Sequence, residues 1–417
     1  MNGIILTRST IPERLGVLKR VGRGLWEALP RRERRALALN VFGLVAPRPA
    51  RPKPDGLGPI TVAGFLSLPT GLGQGARLML QGLRDAGFTV HGADLTDALL
   101  QGRGPGLDPG PQGTGTLILH VNAPMFAWAL WALGRRTVAQ KRIIGYWAWE
   151  LAKPPRGWEL GYGLVHEIWT PSSFSAKALT RPGGPPVSVV PHLAATPAPV
   201  ERNRAALGLP EDAFVAACVF DCGSSIERKN PIASLRAFRR AFGDRPDRIL
   251  ILKAIRTTQG GRRWQELVDA CRGAGNIRII DREMSPAELS GLVVASDCLI
   301  SLHRSEGFGL VLAEAMTLGC PVIATGWSGN LDFMTPANCK LVGYSLVPAR
   351  DEQDMYSVAG GEWAEPEIDQ AAACLSELAE QPAERTQIAA AARDAVSGLL
   401  SQKPYSLHLS RFLFKPA

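Results

Sequence analysis

Two carboxylates, Glu306 and Glu314, are separated by seven residues, and Glu306-Gly307-Phe308-Gly309-Leu310 leads into a run of helix formers. Gly307 and Gly309 allow backbone to approach a guest closely. The N-terminus of the helix that follows offers unpaired N–H groups and the positive end of its dipole. A diphosphate suits such a place. Carboxylates repel phosphate, so Glu306 and Glu314 are better suited to accepting hydrogen bonds from hydroxyls. A guest with a diphosphate between two polyhydroxylated groups is a nucleotide sugar. A second cationic feature points the same way: Arg228 and Lys229 follow the loop Gly223-Ser224-Ser225, and two adjacent cations match two phosphate charges.

These residues need elements to hold them. Cys298–Leu302 reads as a short buried strand, Leu310–Leu318 as a helix ended by Gly319, and Pro321–Thr325 as a second strand. Strand, helix and strand make a parallel βαβ unit, whose ligand loop falls at the carboxyl end of a strand. Upstream, Phe214–Phe220 leads through the Arg228-Lys229 loop into a helix reaching Ala241. Strands at Ile249–Lys253 and Ile277–Asp281 follow, and Ser285 to Glu288 forms a capping box. The first half repeats the plan. Ile60–Ser67 is a buried strand, and a glycine turn through Gly71 and Gly73 leads into a helix over 76–86. Further strands are expected at Thr89–Asp94, Thr116–Asn122, Arg142–Trp149, Glu167–Pro171 and Val187–Pro191. The turn is not a full dinucleotide fingerprint, because Ala76 stands where the third glycine would be. Helices are expected near 367–379 and 384–399, whereas the role of 351–366 is not legible.

The glutamate-glycine stretch, followed by Gly319-Cys320-Pro321-Val322, resembles the retaining glycosyltransferases of family 4 over roughly residues 60–395. The resemblance implies an α/β chain of GT-B fold, with two Rossmann-like domains facing across a cleft. Residues 59–203 would form the acceptor domain and 204–399 the donor domain, with 400–417 crossing back onto the first. It implies a hexosyltransferase acting on a nucleoside diphosphate sugar, GDP-mannose first and UDP-glucose second, and a lipid-linked or growing glycan acceptor. Similar Trp-Glu-Leu runs, here Trp149-Glu150-Leu151, occur in members that build bacterial cell-surface polysaccharide. By resemblance Glu306 holds hydroxyls of the transferred sugar and Glu314 the ribose, while Arg228 and Lys229 neutralise the leaving diphosphate. Gly71 and Gly73 face the sugar diphosphate together with Gly307, Phe308, Gly309 and Leu310. His120 is the positional match to a histidine near the transferred sugar. The family's usual first arginine is absent, and Asp221-Cys222-Gly223 stands in its place. Trp147 and Trp149 fit either acceptor stacking or a core. A nucleotide-sugar epimerase of the same fold and a non-catalytic sugar-nucleotide-binding protein are the alternative functions.

Composition sets the remaining bounds. A chain of 417 residues can hold two sizeable cores. Seven scattered cysteines suit reduced core thiols of a cytoplasmic protein, and neither a metal site nor a cofactor is expected. Residues 1–58 hold 12 Lys and Arg against 4 Asp and Glu, so this basic extension carries +8 of the +9 net charge. Leu15, Leu18, Gly22, Leu25 and Leu29 fall at helical spacing within it. Such an arm suits an anionic membrane surface on the inner face of the cell membrane, and it suits packing on the protein's own body equally well. Ala46–Gly58 reads as a proline-rich linker. No signal peptide and no nucleic-acid partner are expected. The uncharged run from Pro109 to Gly134 reads as strand, loop and helix rather than a membrane span.

Overall fold

The computed structural model describes residues 42–101, 107–154, 157–193, 200–356 and 358–401, together with 405, 408 and 409. The apolar runs build two parallel six-stranded sheets. The first contains β1 (Ile60–Gly64), β2 (Val90–Asp94), β3 (Gly115–His120), β4 (Lys141–Tyr146), β5 (Glu167–Thr170) and β6 (Val187–Val189), in the order β2-β1-β3-β4-β5-β6. The second contains β7 (Phe214–Asp221), β8 (Arg248–Ile255), β9 (Ile277–Asp281), β10 (Cys298–Ser301), β11 (Val322–Thr325) and β12 (Lys340–Val342), in the order β12-β11-β10-β7-β8-β9. Helices cover both faces, so the central strands are buried and read as near-continuous apolar runs.

Each sheet reverses its strand order once. In the first sheet this happens between β1 and β3, in the second between β7 and β10. The carboxyl ends flanking such a reversal form the ligand crevice of open α/β sheets. The sequence therefore places the glycine turn after β1, the Arg228-Lys229 loop after β7 and the Glu306 loop after β10 at the two crevices.

The helices used below are α1 (Gly71–Asp85), α2 (Ala123–Leu133), α3 (Ser173–Leu179), α4 (Ile226–Lys229), α5 (Pro231–Phe242), α6 (Gly261–Cys271), α7 (Pro286–Ala295), α8 (Leu310–Thr317), α9 (Ile368–Glu380) and α10 (Pro382–Ser401). The capping box at Ser285 and Glu288 is present at the start of α7. α1 begins five residues earlier than its sequence signal, because Thr70 caps it by accepting from the Gly73 N–H at 3.2 Å. The run from Pro109 to Gly134 contains β3 and α2, as expected.

Within the stretch 351–366, Glu362–Pro366 forms β14, antiparallel to β13 (Tyr344–Pro348). Ala349, Tyr356 and Trp363 then enter the same core cluster as Trp147, Trp149 and Trp158 of the first sheet. Tyr405 and Leu409 are buried beside Ile60, Val62 and Met79, and the Tyr405 hydroxyl accepts from the Leu193 N–H at 3.0 Å.

Of the basic extension, residues 1–41 lie outside the described residues. The rest is packed. Phe42 stacks on Trp128 at 5.0 Å, His166 Nε2 lies 3.0 Å from the Ala50 carbonyl, and Thr116 donates to the Gly56 carbonyl at 2.9 Å. The expected linker is therefore laid along the first sheet. Its polar backbone finds partners there, although Leu44 and Val45 stay exposed.

Candidate active site

β7 ends at Asp221, whose carboxylate accepts from the Gly223 N–H at 2.9 Å and from Arg256 Nε at 2.8 Å. The loop then turns at Ser225, in the left-handed region at φ 64°, and its hydroxyl caps α4 by accepting from the Arg228 N–H at 3.3 Å. This single turn brings Arg228 and Lys229 to the Glu306 loop. Arg228 donates to the carbonyls of Ser305 at 2.7 Å and Ser224 at 3.1 Å, and Nη1 lies 3.3 Å from Glu306 Oε2. Lys229 Nζ lies 2.5 Å from Glu306 Oε1.

The ion cluster is mostly shielded from water. Burial alone would raise the Glu306 carboxyl, yet Lys229, Arg228 and His303 outweigh it and hold the pKa at about 2. Burial also opposes the charge on Arg228, but Tyr356, Glu306 and Glu150 around it raise its pKa above the usual value. Tyr356 provides a bridge between domains. Its ring lies 5.4 Å from the Arg228 guanidinium, and its hydroxyl donates to Glu150 Oε2 at 2.9 Å. The Ser305 hydroxyl donates to the Glu150 carbonyl.

Glycine makes the loop geometry possible at two points. Gly309 stands in the left-handed region at φ 98°, at the N-cap of α8, and no side chain caps that helix. Leu310 therefore opens a first turn with N–H groups available to an anion. A Cβ at Gly329 would lie 2.3 Å from the Gly307 carbonyl oxygen, so only glycine permits the two loops to meet there. Their contact is sealed by Gly329 N–H to the Glu306 carbonyl at 2.9 Å and Glu306 N–H to the Ser328 hydroxyl at 2.7 Å. Phe308 is buried against Phe333 and against His192 of the first domain.

Glu314 lies half-buried on α8, and no ion pair or side-chain hydrogen bond to its carboxylate occurs among the described residues. Burial pushes its pKa up to about 7. The two glutamates thus differ in kind: Glu306 is fixed as an anion, and Glu314 titrates near neutrality.

In the first domain, several of the residues singled out in the sequence lie in the core. His120, expected beside the transferred sugar, is wholly buried, stacked on Tyr146 at 4.3 Å, with Nε2 3.2 Å from Met79 Sδ. Pairing of β3 with both β1 and β4 turns that side chain under α1 rather than toward the cleft. Trp147 and Trp149 are core residues, packed on Trp158. A Cβ at Gly73 would lie 2.4 Å from the Leu68 carbonyl oxygen, which fixes glycine there, whereas Gly71 meets nothing within 4 Å. The histidine that reaches the other domain is His192. It fills the space over Gly75, where a Cβ would lie 2.3 Å from its ring, and its ring centroid is 5.4 Å from that of Phe308. Burial lowers its pKa to about 3, so it is neutral. Sequence reading gave no role to Arg256 or Tyr356, which belong to no contiguous motif, nor to the buried pairing of His303 with Asn330 (3.2 Å), whose two ends lie in the same stretch but 27 residues apart.

Residues 200–356 match the family described as Glycosyl transferases group 1. A D-inositol 3-phosphate glycosyltransferase of Arthrobacter sp. (strain FB24) is 29% identical over 136 residues, which is 32% of this chain and 31% of that protein. The chain thus spans about a third of that curated relative. Among solved structures, a glycosyltransferase from Rickettsia africae ESF-5 superposes with a TM-score of 0.61 at 14% identity, covering 87% of this chain and 100% of the other. Anabaena HepE in complex with UDP-glucose gives 0.58 at 14% identity, covering 84% and 99%. WaaG, a glycosyltransferase involved in lipopolysaccharide biosynthesis, gives 0.55 at 15% identity, covering 85% and 99%. The chain has the two-domain GT-B fold of these glycosyltransferases, and its segment 200–356 is similar to the glycosyl transferases of group 1.

Proposed function

We propose that this chain is a retaining glycosyltransferase moving a hexose from a nucleoside diphosphate sugar to a lipid-linked or growing glycan acceptor. The observation that carries the reading is the convergence of Arg228, Lys229 and Glu306 at the strand-order reversal of the second sheet, beside the uncapped start of α8. In the resting site Glu306 is the anion the two cations hold. On donor binding, the diphosphate takes over Lys229 and Arg228 together with the N–H groups at Leu310, and Glu306 accepts from a sugar hydroxyl. Glu314, on the same helix, accepts from the ribose. As the sugar C1–O bond to the diphosphate breaks, negative charge grows on the leaving oxygen, where preorganised cations lower the barrier. The acceptor oxygen attacks C1 from the same face, and its proton passes to the leaving phosphate. Gly71 and Gly73 line the opposite wall of the cleft.

Residues 1–41 carry nine Lys and Arg against three Glu. The arm holds the enzyme at an anionic membrane face, where a lipid-linked acceptor lies. A panel of nucleotide sugars tests the donor assignment, with UDP-glucose first because a similar fold holds it, and GDP-mannose second. A donor at a hundred times its dissociation constant stabilises by about 2.7 kcal/mol, which is readable as a thermal shift. Release of nucleoside diphosphate only when a glycan acceptor is present separates transfer from epimerisation, and the product anomer reports retention. A panel in which no nucleotide sugar stabilises the protein overturns the reading.

A further inference from the structure

β4 ends at Tyr146, and the chain then runs over the aromatic core to the edge of the second domain, where Trp149 and Glu150 meet the Glu306 loop. The contact is close. The Ser305 hydroxyl donates to the Glu150 carbonyl, and a Cβ built on Gly307 would lie 3.7 Å from Glu150 Cγ and 3.6 Å from the Trp149 carbonyl oxygen. The Ser175 hydroxyl of α3 donates to that same Trp149 carbonyl at 2.6 Å. A carboxylate of the first domain thus stands beside the glycine that follows Glu306.

Its two oxygens are used unequally. Oε2 accepts from the Tyr356 hydroxyl at 2.9 Å. Tyr356 is itself fixed: Asp351 accepts from its N–H at 2.8 Å, and its ring packs on Trp149 at 5.5 Å and lies 5.4 Å from the Arg228 guanidinium. Oε1 has no hydrogen bond or ion pair among the described residues, and the side chain is partly exposed, so this oxygen is not sealed from solvent. A strut between domains needs one acceptor only, whereas a carboxylate has room for several N–H or O–H donors. Its negative charge also repels a diphosphate. A guest at Oε1 is therefore the uncharged, hydroxyl-bearing part of the donor and not its phosphates.

We infer that Glu150 is the first domain's contact to the transferred hexose, on the reading that a nucleotide sugar occupies the Glu306 crevice. Oε1 accepts from a sugar hydroxyl next to Gly307, so that carboxylates of both domains hold the sugar. Tyr356 is the positioning residue that keeps Glu150 there.

Calorimetric titration of the full-length chain with UDP, UDP-glucose, GDP and GDP-mannose tests this, because free nucleotide and nucleotide sugar should respond differently. In Glu150→Ala, the nucleotide sugar that binds wild type should bind at least tenfold more weakly. Its free nucleotide should bind as in wild type or more tightly, one repelling carboxylate having been removed. Glu150→Gln keeps the shape and an oxygen for the Tyr356 hydroxyl. It should weaken the nucleotide sugar at least threefold while sparing the nucleotide, and it decides the matter if the alanine variant does not fold. Tyr356→Phe keeps the ring and frees Glu150, and should show a smaller loss in the same direction. A Glu150 that only holds the loop in place would, when replaced, weaken nucleotide and nucleotide sugar alike. That result, or nucleotide-sugar affinity unchanged in both Glu150 variants, would overturn the inference while leaving the donor site in place. Wild-type protein that binds none of the four would overturn the donor reading, and the inference with it.

Discussion

At the residue scale, the chemistry rests on one shielded ion cluster and one titratable helix carboxylate. Replacing Lys229 by Ala removes a cation from the developing diphosphate, so turnover should fall roughly a hundredfold. The same change strips Glu306 of its shorter ion pair and leaves it to Arg228. A stability loss of about 1–3 kcal/mol should accompany it, readable by urea denaturation at neutral pH. Glu314 supplies a pH signature. Its folded pKa, about 7, lies above its unfolded value, so between roughly pH 4.5 and 7 the folded state holds the extra proton. Stability should therefore fall as pH rises through that window and level off above it. Glu314→Gln should flatten this dependence, and wild-type UDP affinity should gain on the variant as pH rises from 6 to 8. A parallel pH dependence in both proteins would remove Glu314 from the ribose role. Glu306 and Lys229 were legible in the sequence because each belongs to a contiguous loop with its glycines. The burial of His120 was not legible, because Met79 and Tyr146, which pack on it, lie far along the chain and only the fold brings them together.

At the element scale, apolar runs bounded by turn residues located all six strands of the first sheet and five of the second, because parallel strands buried on two faces leave that signature, whereas the short edge strand β12 does not. Their ends shifted by a few residues. β4 stops at Tyr146, and Trp147 and Trp149 continue into a loop that the aromatic core holds. β14 was invisible because it pairs with a strand across an irregular segment, and its buried Trp363 belongs to the core of the other domain. The contact between the Glu306 loop and the loop after β11 depends on a glycine with no room for a side chain. Gly329→Ala should force the Gly307 carbonyl aside. Thermal denaturation should show a loss of about 1–3 kcal/mol, as overpacking costs elsewhere, and UDP binding should weaken with it. Unchanged melting and binding would mean that the two loops are not held in this contact.

At the scale of the whole molecule, the two domains are tied by several polar contacts, including Ser173 N–H to Asp332 at 2.7 Å and Tyr356 to Glu150. The two-domain plan was legible because both halves repeat one alternation of strand and helix. How they meet was not, since residues such as Tyr356 and His192 carry no motif. Of the basic extension, the described part from Phe42 packs on the first domain. Deleting residues 1–41 should abolish co-sedimentation with anionic vesicles at low salt and leave UDP binding intact. Deleting 1–55 should also lower the melting temperature, because Phe42 and Ala46 leave the core face of α2. Added salt should weaken vesicle binding of the full-length protein, as screening requires. Full-length protein that ignores anionic vesicles at low salt would contradict the membrane role.

The central claim is that Arg228, Lys229 and the start of α8 receive the diphosphate of a nucleotide sugar. Calorimetric titration of UDP and GDP into wild-type protein and the Lys229→Ala variant tests it most directly. Saturable binding of at least one nucleotide, weakened tenfold or more in the variant, is the predicted result. Equal affinity in the two proteins, or no binding to either, would contradict it.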